Sequence, residues 1–231
     1  MNEFSMRKRA FFLRLTAFFS LLFCLIPLFF FTGCNTPIDY FEYVSEYRGN
    51  VLYATGENFD LKIYSTEREY PYAADGIKRE TSHVTEVFFA AESGEKTYSV
   101  SFHYDGKSYG GECSYDAVKS RYYFSCAADL SNAQALAIEL QSGETTYALN
   151  AVSVLTEQTL SGREIVQKTA EKEKDLFSSL TDNKRFFGEI YLRVLFEEKV
   201  YYYLGIVTES GKIHSFLLDG TTGNIIAKRQ N

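Results

Sequence analysis

Cysteine and histidine are the side chains of this 231-residue chain whose chemistry goes beyond packing, so their spacing comes first. Cys113 and Cys126 flank the turn signal at Lys119 and Ser120. A hairpin pairing symmetrically about that turn would bring the two thiols face to face, and a disulfide closing a loop of about 14 residues would add roughly 3 kcal/mol in a chain-entropy account. Two buried thiols are the alternative, and spacing alone leaves it open. A thiolate nucleophile would need a lowered pKa and a nearby base, which no spacing here supplies. His83, His103 and His214 have no separation that completes a four-ligand metal site with the cysteines. His103 falls on the polar phase of a strand pattern, and His214 alternates with Ile213 in another. Gly106, Lys107 and Ser108 imitate the end of a phosphate loop, but Ser101 stands where its first glycine belongs. Neither Gly-x-Ser-x-Gly nor His-Glu-x-x-His occurs. A pair of carboxylates would suffice for a glycosidase, yet no deep cleft is suggested by the segments around them. The expectation is a protein with no catalytic residue, no metal and no cofactor.

The remaining chemistry sits at the amino terminus. Arg7, Lys8, Arg9 and Arg14 precede an uncharged apolar run from Leu15 to Phe31 that contains Cys24, the pattern of an export signal. It ends in Phe31, Thr32, Gly33 and Cys34, which resembles the lipobox of bacterial lipoproteins. The resemblance implies diacylation of Cys34, removal of residues 1–33, and a chain held by lipid on the outer face of the cell membrane. An uncleaved anchor is the alternative, and its run of about 17 residues is at the lower limit for spanning a bilayer.

Without residues 1–33 the chain keeps 20 basic and 29 acidic residues, a formal charge of about −9. Nucleic-acid binding, which needs clustered Lys and Arg to displace counterions, is thereby disfavoured. The same charge repels an anionic lipid surface.

Two units are expected beyond a tether at 34–50. From 51 to 156 short alternating segments follow one another: Phe59, Leu61 and Ile63; Tyr98, Val100 and Phe102; Tyr122, Phe124 and Cys126; Leu136, Ile138 and Leu140. Seven or eight such strands suggest an antiparallel β-sandwich of immunoglobulin-like shape. Residues 66–83 are too polar for a core strand and read as a long connection. Tyr70 and Tyr72 in it form a contact loop in this reading. From 160 to 231 the pattern changes to helix followed by meander. Ser161 and Glu164 form a capping-box pattern. Ile165, Val166, Thr169, Ala170, Leu176, Phe177 and Leu180 follow at helical spacing, and Ile190, Leu192, Val194 and Phe196 then alternate. The fold class expected is therefore mixed: a β-sandwich domain, then a small α+β domain with one helix on an antiparallel meander.

The last strands carry a second resemblance. Leu218, Asp219, Gly220, Thr221, Thr222, Gly223 and Asn224 look like the Asp-x-x-Thr-Gly turn that ends a PepSY domain. Asp219 can accept amides across such a turn, Thr222 sits inside it, and Gly223 suits a positive φ. The resemblance implies an extracytoplasmic interaction role, of the kind proposed for such domains in peptidase propeptides, and supplies no active-site residues. The function expected is a membrane-tethered, non-catalytic binding or regulatory lipoprotein with a protein partner. A carbohydrate or cell-wall binder is the second class, and an envelope hydrolase the third.

Overall fold

One strand belongs to everything else in this fold. The computed structural model describes residues 37–56, 60–70, 75–90 and 96–231, so Phe59, Tyr72, the basic and apolar leader and Cys34 lie outside the described residues. A 3-10 turn, Tyr40–Tyr43, leads into β1 (Val44–Thr55), the longest strand. There follow β2 (Asp60–Glu69), β3 (Thr81–Phe89), β4 (Ser99–Tyr104), β5 (Lys107–Glu112), β6 (Ser114–Asp116), β7 (Arg121–Cys126), β8 (Ala135–Ser142) and β9 (Thr145–Ser153). Helices α1 (Gly162–Lys172) and α2 (Lys174–Ser179) come next, then a small ladder of β10 (Thr181–Asp182) with β11 (Arg185–Phe186). The chain closes with β12 (Gly188–Phe196), β13 (Val200–Thr208), β14 (Ile213–Asp219) and β15 (Ile225–Gln230).

The expected division into a sandwich domain and a separate α+β domain is overturned. Thirteen of these strands form one sheet. The joint is β1: its first half pairs in parallel with β12, Tyr47 opposite Leu192 and Arg48 opposite Arg193. Its second half pairs with β9 at Leu52 and Tyr53, while β2 runs antiparallel along its whole length. From β1 one arm continues through β2, β3 and β7 to β6, and another through β9, β8 and β4 to β5. The chain itself crosses between the arms at Cys113, whose N–H donates to Tyr98 O (2.7 Å). The result is a nearly closed, barrel-like sheet, extended on one side by the β12–β15 meander. Residues 44–50, expected in a tether, are thus the middle of a sheet. Thr66–Glu69 and Thr81–His83, expected in a loop, are the ends of β2 and β3; Glu69 is buried there and accepts the Arg79 N–H (3.3 Å).

Two apolar cores lie along this sheet. Leu52, Ala54, Leu61, Ile63, Val87, Phe89, Val100, Phe102, Ile138 and Leu140 fill the barrel-like part. Val51, Ile165, Val166, Phe177, Ile190, Leu192, Val194, Tyr202 and Leu204 form the second. β1 feeds both because of an extra residue: Arg48 opposes Thr66 and Asn50 opposes Ser65, leaving Gly49 as a bulge. The bulge turns the Asn50 side chain inward. Its amide donates to Leu130 O and Ala133 O (2.9 Å each), and its Oδ1 accepts from the Ser153 hydroxyl (2.8 Å). The irregular segment 127–134 is thereby held against the barrel core. The Thr85 hydroxyl donates to Ala128 O (2.9 Å), and the Leu130 N–H donates to Ser65 Oγ (3.1 Å), so its backbone groups are paired rather than stranded in apolar surroundings.

Tyr47 fixes the helix to this joint. An added Cβ would stand 2.8 Å from its ring at Gly49 and 2.7 Å at Gly162, so the ring lies between two bare backbones. The Tyr47 hydroxyl meets the Gly162 N–H and the Tyr202 hydroxyl, and Tyr202 donates to Leu160 O (2.6 Å). Helix α1 starts where the capping pattern places it: the Glu164 N–H donates to Ser161 Oγ (3.3 Å), and the Ser161 N–H donates to Glu164 Oε2 (2.8 Å).

The disulfide expected between Cys113 and Cys126 is absent, and both thiols are free. The β6–β7 hairpin pairs Ser114 with Tyr123 and Asp116 with Arg121, a register two residues away from the symmetric one. Cys126 instead faces Thr85 on β3. Burial, helped by the Glu112 charge, pushes the Cys113 thiol up to about 11, and burial raises Cys126 as well.

Two measurements test these arrangements. Gly162→Ala should destabilise by about 1–3 kcal/mol through overpacking against Tyr47, although alanine ordinarily favours a helix by up to about 1 kcal/mol. In a Tyr47→Ala background the same change should stabilise; denaturant unfolding that shows equal losses in both backgrounds would remove Tyr47 from this role. The Asp219 carboxyl is held down to about 2, first by the Thr222 amide, then by Lys199 and the Thr222 hydroxyl. A depressed carboxylate stabilises above its unfolded value and loses that contribution as pH falls through the folded one. Asp219→Asn should therefore lower the melting temperature at pH 7, with the difference closing toward pH 2.

Candidate functional site

The residues singled out from sequence do not converge. Tyr70, at the end of β2, is 86% exposed and stands alone among the described residues of its loop, since Tyr72 lies outside them. Asp219, Thr222 and Gly223 form a tight turn: Asp219 Oδ1 accepts from the Thr221 N–H (3.1 Å), the Thr222 N–H (2.9 Å) and the Thr222 hydroxyl (3.0 Å), and Gly223 has φ +68°. Lys172 reaches across to Gly223 O (3.0 Å), so the turn is tied to α1 and its groups are engaged in structure. His83 lies 3.5 Å from Asp129, and His103 and His214 are on distant strands. No group of three His, Cys, Asp or Glu side chains that could hold a metal occurs among the described residues.

A second polar corner is also structural. Glu69, at the end of β2, and Glu189, at the start of β12, are both buried. Burial raises Glu189, with Glu69 and Asp75 adding to the effect and Tyr191 and Arg79 opposing it. Each carboxylate nevertheless has a donor: the Arg79 N–H for Glu69, and the Tyr191 hydroxyl for Glu189 (2.7 Å). Arg79 is itself held by Asp75. Together these bonds pin the 75–79 segment against the sheet.

The outer face of the sheet is different. Side chains alternate along strands, so registers across the ladder place one set of side chains on the side away from the barrel-like core, where Tyr64 also packs against the second core. The set comprises Tyr191 and Arg193 on β12, Tyr203 on β13, Leu217 on β14, Glu46 and Arg48 on β1, Tyr64 on β2, Glu86 and Phe88 on β3, and Arg121 and Tyr123 on β7. These side chains are half-buried or exposed, never fully covered. Arg48 lies 4.0 Å over the Tyr64 ring, and Arg121 lies 3.9 Å over the Phe88 ring. The two rings are neighbours, with centroids 5.4 Å apart, and Phe88 continues to Tyr123 at 6.4 Å. Tyr203 and Ser215 share a hydrogen bond (3.1 Å) beyond Arg193.

The arginines on this face are unequally partnered. Arg193 bonds Glu46; burial pulls its pKa down, and the Glu46 bond and charge outweigh that and hold it above the ordinary value. Among the described residues Arg48 has no such bond. Burial lowers its pKa, Arg193 beside it acts the same way, and Tyr64, Glu86 and Glu46 oppose them at a distance. The Nε atoms of Arg48 and Arg121 are buried without a hydrogen-bond partner among the described residues. An unpaired buried donor costs about 1–3 kcal/mol, and a desolvated cation–π contact returns about 2 kcal/mol. The two nearly offset each other, so folding gains little from arginine at these two places. What the arrangement can do is hold each guanidinium group against an aromatic ring on a half-buried surface, where it suits a planar anion such as a carboxylate. Sequence reading missed this face, although the outward phases of β2 and β3, Tyr64 and Phe88, were one step from the core residues that it did place.

No family model matches the sequence, and no curated protein matches it. Among the described residues, no helix is long and apolar enough to cross a membrane.

Arg48→Met removes an unpaired donor and should leave the denaturation midpoint unchanged or raise it. Arg193→Met removes the bond to Glu46 and should cost about 1–2 kcal/mol. Urea unfolding of the two variants separates these cases, and a larger loss for Arg48→Met would make that residue a structural one.

Proposed function

We propose that this protein is a lipoprotein tethered to the outer face of the cell membrane, and that it acts without catalysis, by binding a protein partner on the outer face of its sheet. The observation that carries the binding reading is the Arg48 guanidinium, half-buried on Tyr64 with its Nε unpaired, in the middle of a tyrosine- and arginine-rich surface. Tyrosine and arginine are the residue types enriched where protein surfaces meet, because a large rigid ring or a planar fork loses little freedom on contact. Burial raises the thiol pKa of both Cys113 and Cys126, which favours a non-catalytic role for each, since it is the thiolate that reacts.

Support for the tether is the leader ending at Thr32, Gly33 and Cys34. Asp39 already belongs to the compact unit, where its carboxylate accepts the Phe41 N–H (3.1 Å) and pairs with Arg163. From a lipidated Cys34 to Asp39 the chain reaches roughly 18 Å at most. Such a domain stays close to the lipid while its negative charge is repelled by anionic headgroups, which favours partners at the same membrane over the membrane itself. The helix and meander of 160–231, with the Asp219 turn, keep the PepSY-like interaction role within this reading.

Two results are expected. Cys34→Ser should abolish fatty-acid labelling in cells and leave residues 1–33 attached. A photoreactive residue at Leu217, on the outer face, should give a discrete protein adduct, while one at Gln167, exposed on α1, should give none. Wild-type protein that takes up no lipid, or adducts that form from Gln167 and not from Leu217, would overturn the corresponding half of the proposal.

A further inference from the structure

The end of the sheet at which the chain enters the fold carries apolar side chains that nothing in the fold requires. β1 starts there at Val44, and register places beside it the end of β2 at Glu69, the start of β3 at Thr81, the start of β12 at Gly188 and the end of β13 at Thr208. Tyr70, directly after β2, is 86% exposed, and Ile77, on the segment that covers the same corner, is 54% exposed. That segment is held in place: the Arg185 guanidinium donates to Gly76 O (3.3 Å), the Ile77 N–H donates to Asp75 Oδ1 (3.0 Å), and Lys78 pairs with Glu42. Carboxylates around it are matched by cations, Asp39 by Arg163, Glu42 by Lys78 and Asp75 by Arg79. Exposed Glu80, Asp182 and Glu209 remain, against exposed Lys184, Arg185 and Lys212. This end is therefore close to neutral, although the chain carries a net charge of −6.

We propose that this end of the sheet rests in the headgroup region of a phospholipid bilayer, with Tyr70 and Ile77 as its interfacial anchors, so that the strands rise from the membrane and the outer face is turned toward neighbouring membrane proteins. The inference rests on lipidation at Cys34. Tether length decides which end can touch lipid. Five residues from Cys34 to Asp39 span roughly 18 Å at most, whereas the 12 residues of β1 extend for about 40 Å. Asp39 is pinned by the Phe41 N–H (3.1 Å) and by Arg163, so the tether leaves from a fixed point at the start of β1. The opposite end, with Asp60 at the start of β2 and Glu197 and Glu198 after β12, lies beyond that reach. Tyrosine suits the boundary because its ring is apolar while its hydroxyl stays wet, and isoleucine gains by leaving water. Two such residues do not recruit a chain of this charge to an anionic surface by themselves. A lipid already confines the domain beside the bilayer, so weak contact suffices to orient it.

The chain contains no tryptophan, so a single introduced one reports its own surroundings. The full lipidated protein, purified from bacterial membranes, is reconstituted into phosphatidylcholine vesicles with and without lipids brominated near the headgroup. Tyr70→Trp and Ile77→Trp should each shift their emission to the blue on reconstitution and lose intensity to the brominated lipid. Glu198→Trp, exposed at the opposite end, should do neither. Salt at about 1 M, where charges are screened beyond roughly 3 Å, should leave the quenching in place. Equal quenching of Glu198→Trp would mean that no end is preferred and would overturn the proposal. Quenching that needs phosphatidylglycerol and vanishes in salt would assign the contact to Lys184 and Arg185 and overturn it likewise. Flotation with the vesicles reads the tether separately. Protein that floats while Tyr70→Trp and Ile77→Trp stay unquenched refutes the contact and leaves the tether standing; protein that does not float refutes the tether, and this inference with it.

Discussion

The bulge at Gly49 is the constraint on which the rest of this structure depends. A regular strand has one inward face, and a strand shared by two cores must present a different set of side chains to each. One extra residue between Arg48 and Asn50 makes the change, sending Tyr47 toward the helix and Asn50 and Leu52 toward the barrel-like core. Val51, beside them, is fully buried in the other core. The cost of a bulge is an interrupted ladder, and here it is offset by side chains. The Asn50 side-chain amide adds two hydrogen bonds, to Leu130 O and Ala133 O, that hold the 127–134 segment. Tyr47 covers the bare backbone of Gly49 and carries the contact on to Gly162.

Coupling of the two cores follows. α1 touches the sheet through Ile165 and Val166, and its first residue touches Tyr47, so the helix is anchored to the same strand that closes the barrel-like part. The 3-10 turn adds an aromatic clasp: Tyr40 packs edge-on against Phe177 (4.7 Å) and Phe186 (5.3 Å), and Phe41 packs against Tyr47 (5.4 Å). Separate unfolding of either part would expose β1 and break its ladder with the other, which is why the description as two domains fails even though the apolar clusters are two.

The outer face shows the opposite relation between residue and fold. Inside, buried polar groups such as Asn50, Ser65 and Thr85 have partners among the described residues. Outside, Arg48 and Arg121 each bury an Nε without one. Local choices that oppose stability are expected at places kept for binding. The stacking of both guanidinium groups on rings restricts their motion before any ligand arrives, so less freedom is lost on contact.

Local features were legible in the sequence because they depend on neighbours along the chain. The Ser161–Glu164 box, the alternation of Ile190, Leu192 and Val194, and the Asp219 turn each use residues a few positions apart. Cys113 and Cys126 mark where that reading stops: their symmetric spacing was real, but a two-residue shift of register, set by the turn at Asp116–Arg121, sends each thiol elsewhere. Residues 44–50 and 66–69 carry too many polar side chains to announce strands, since one of their faces is meant for arginine, glutamate and threonine. By itself the sequence determined the helix start and the strand periods, both of which follow from short-range sterics and polarity. Only the tertiary structure decided that β1 lies between β2 and β12, more than 130 residues apart from the latter. The face uniting Arg48, Tyr64, Phe88 and Arg121 was decided there too. Pairing across such distances is set by which apolar surfaces cover one another, and that information belongs to no segment taken alone.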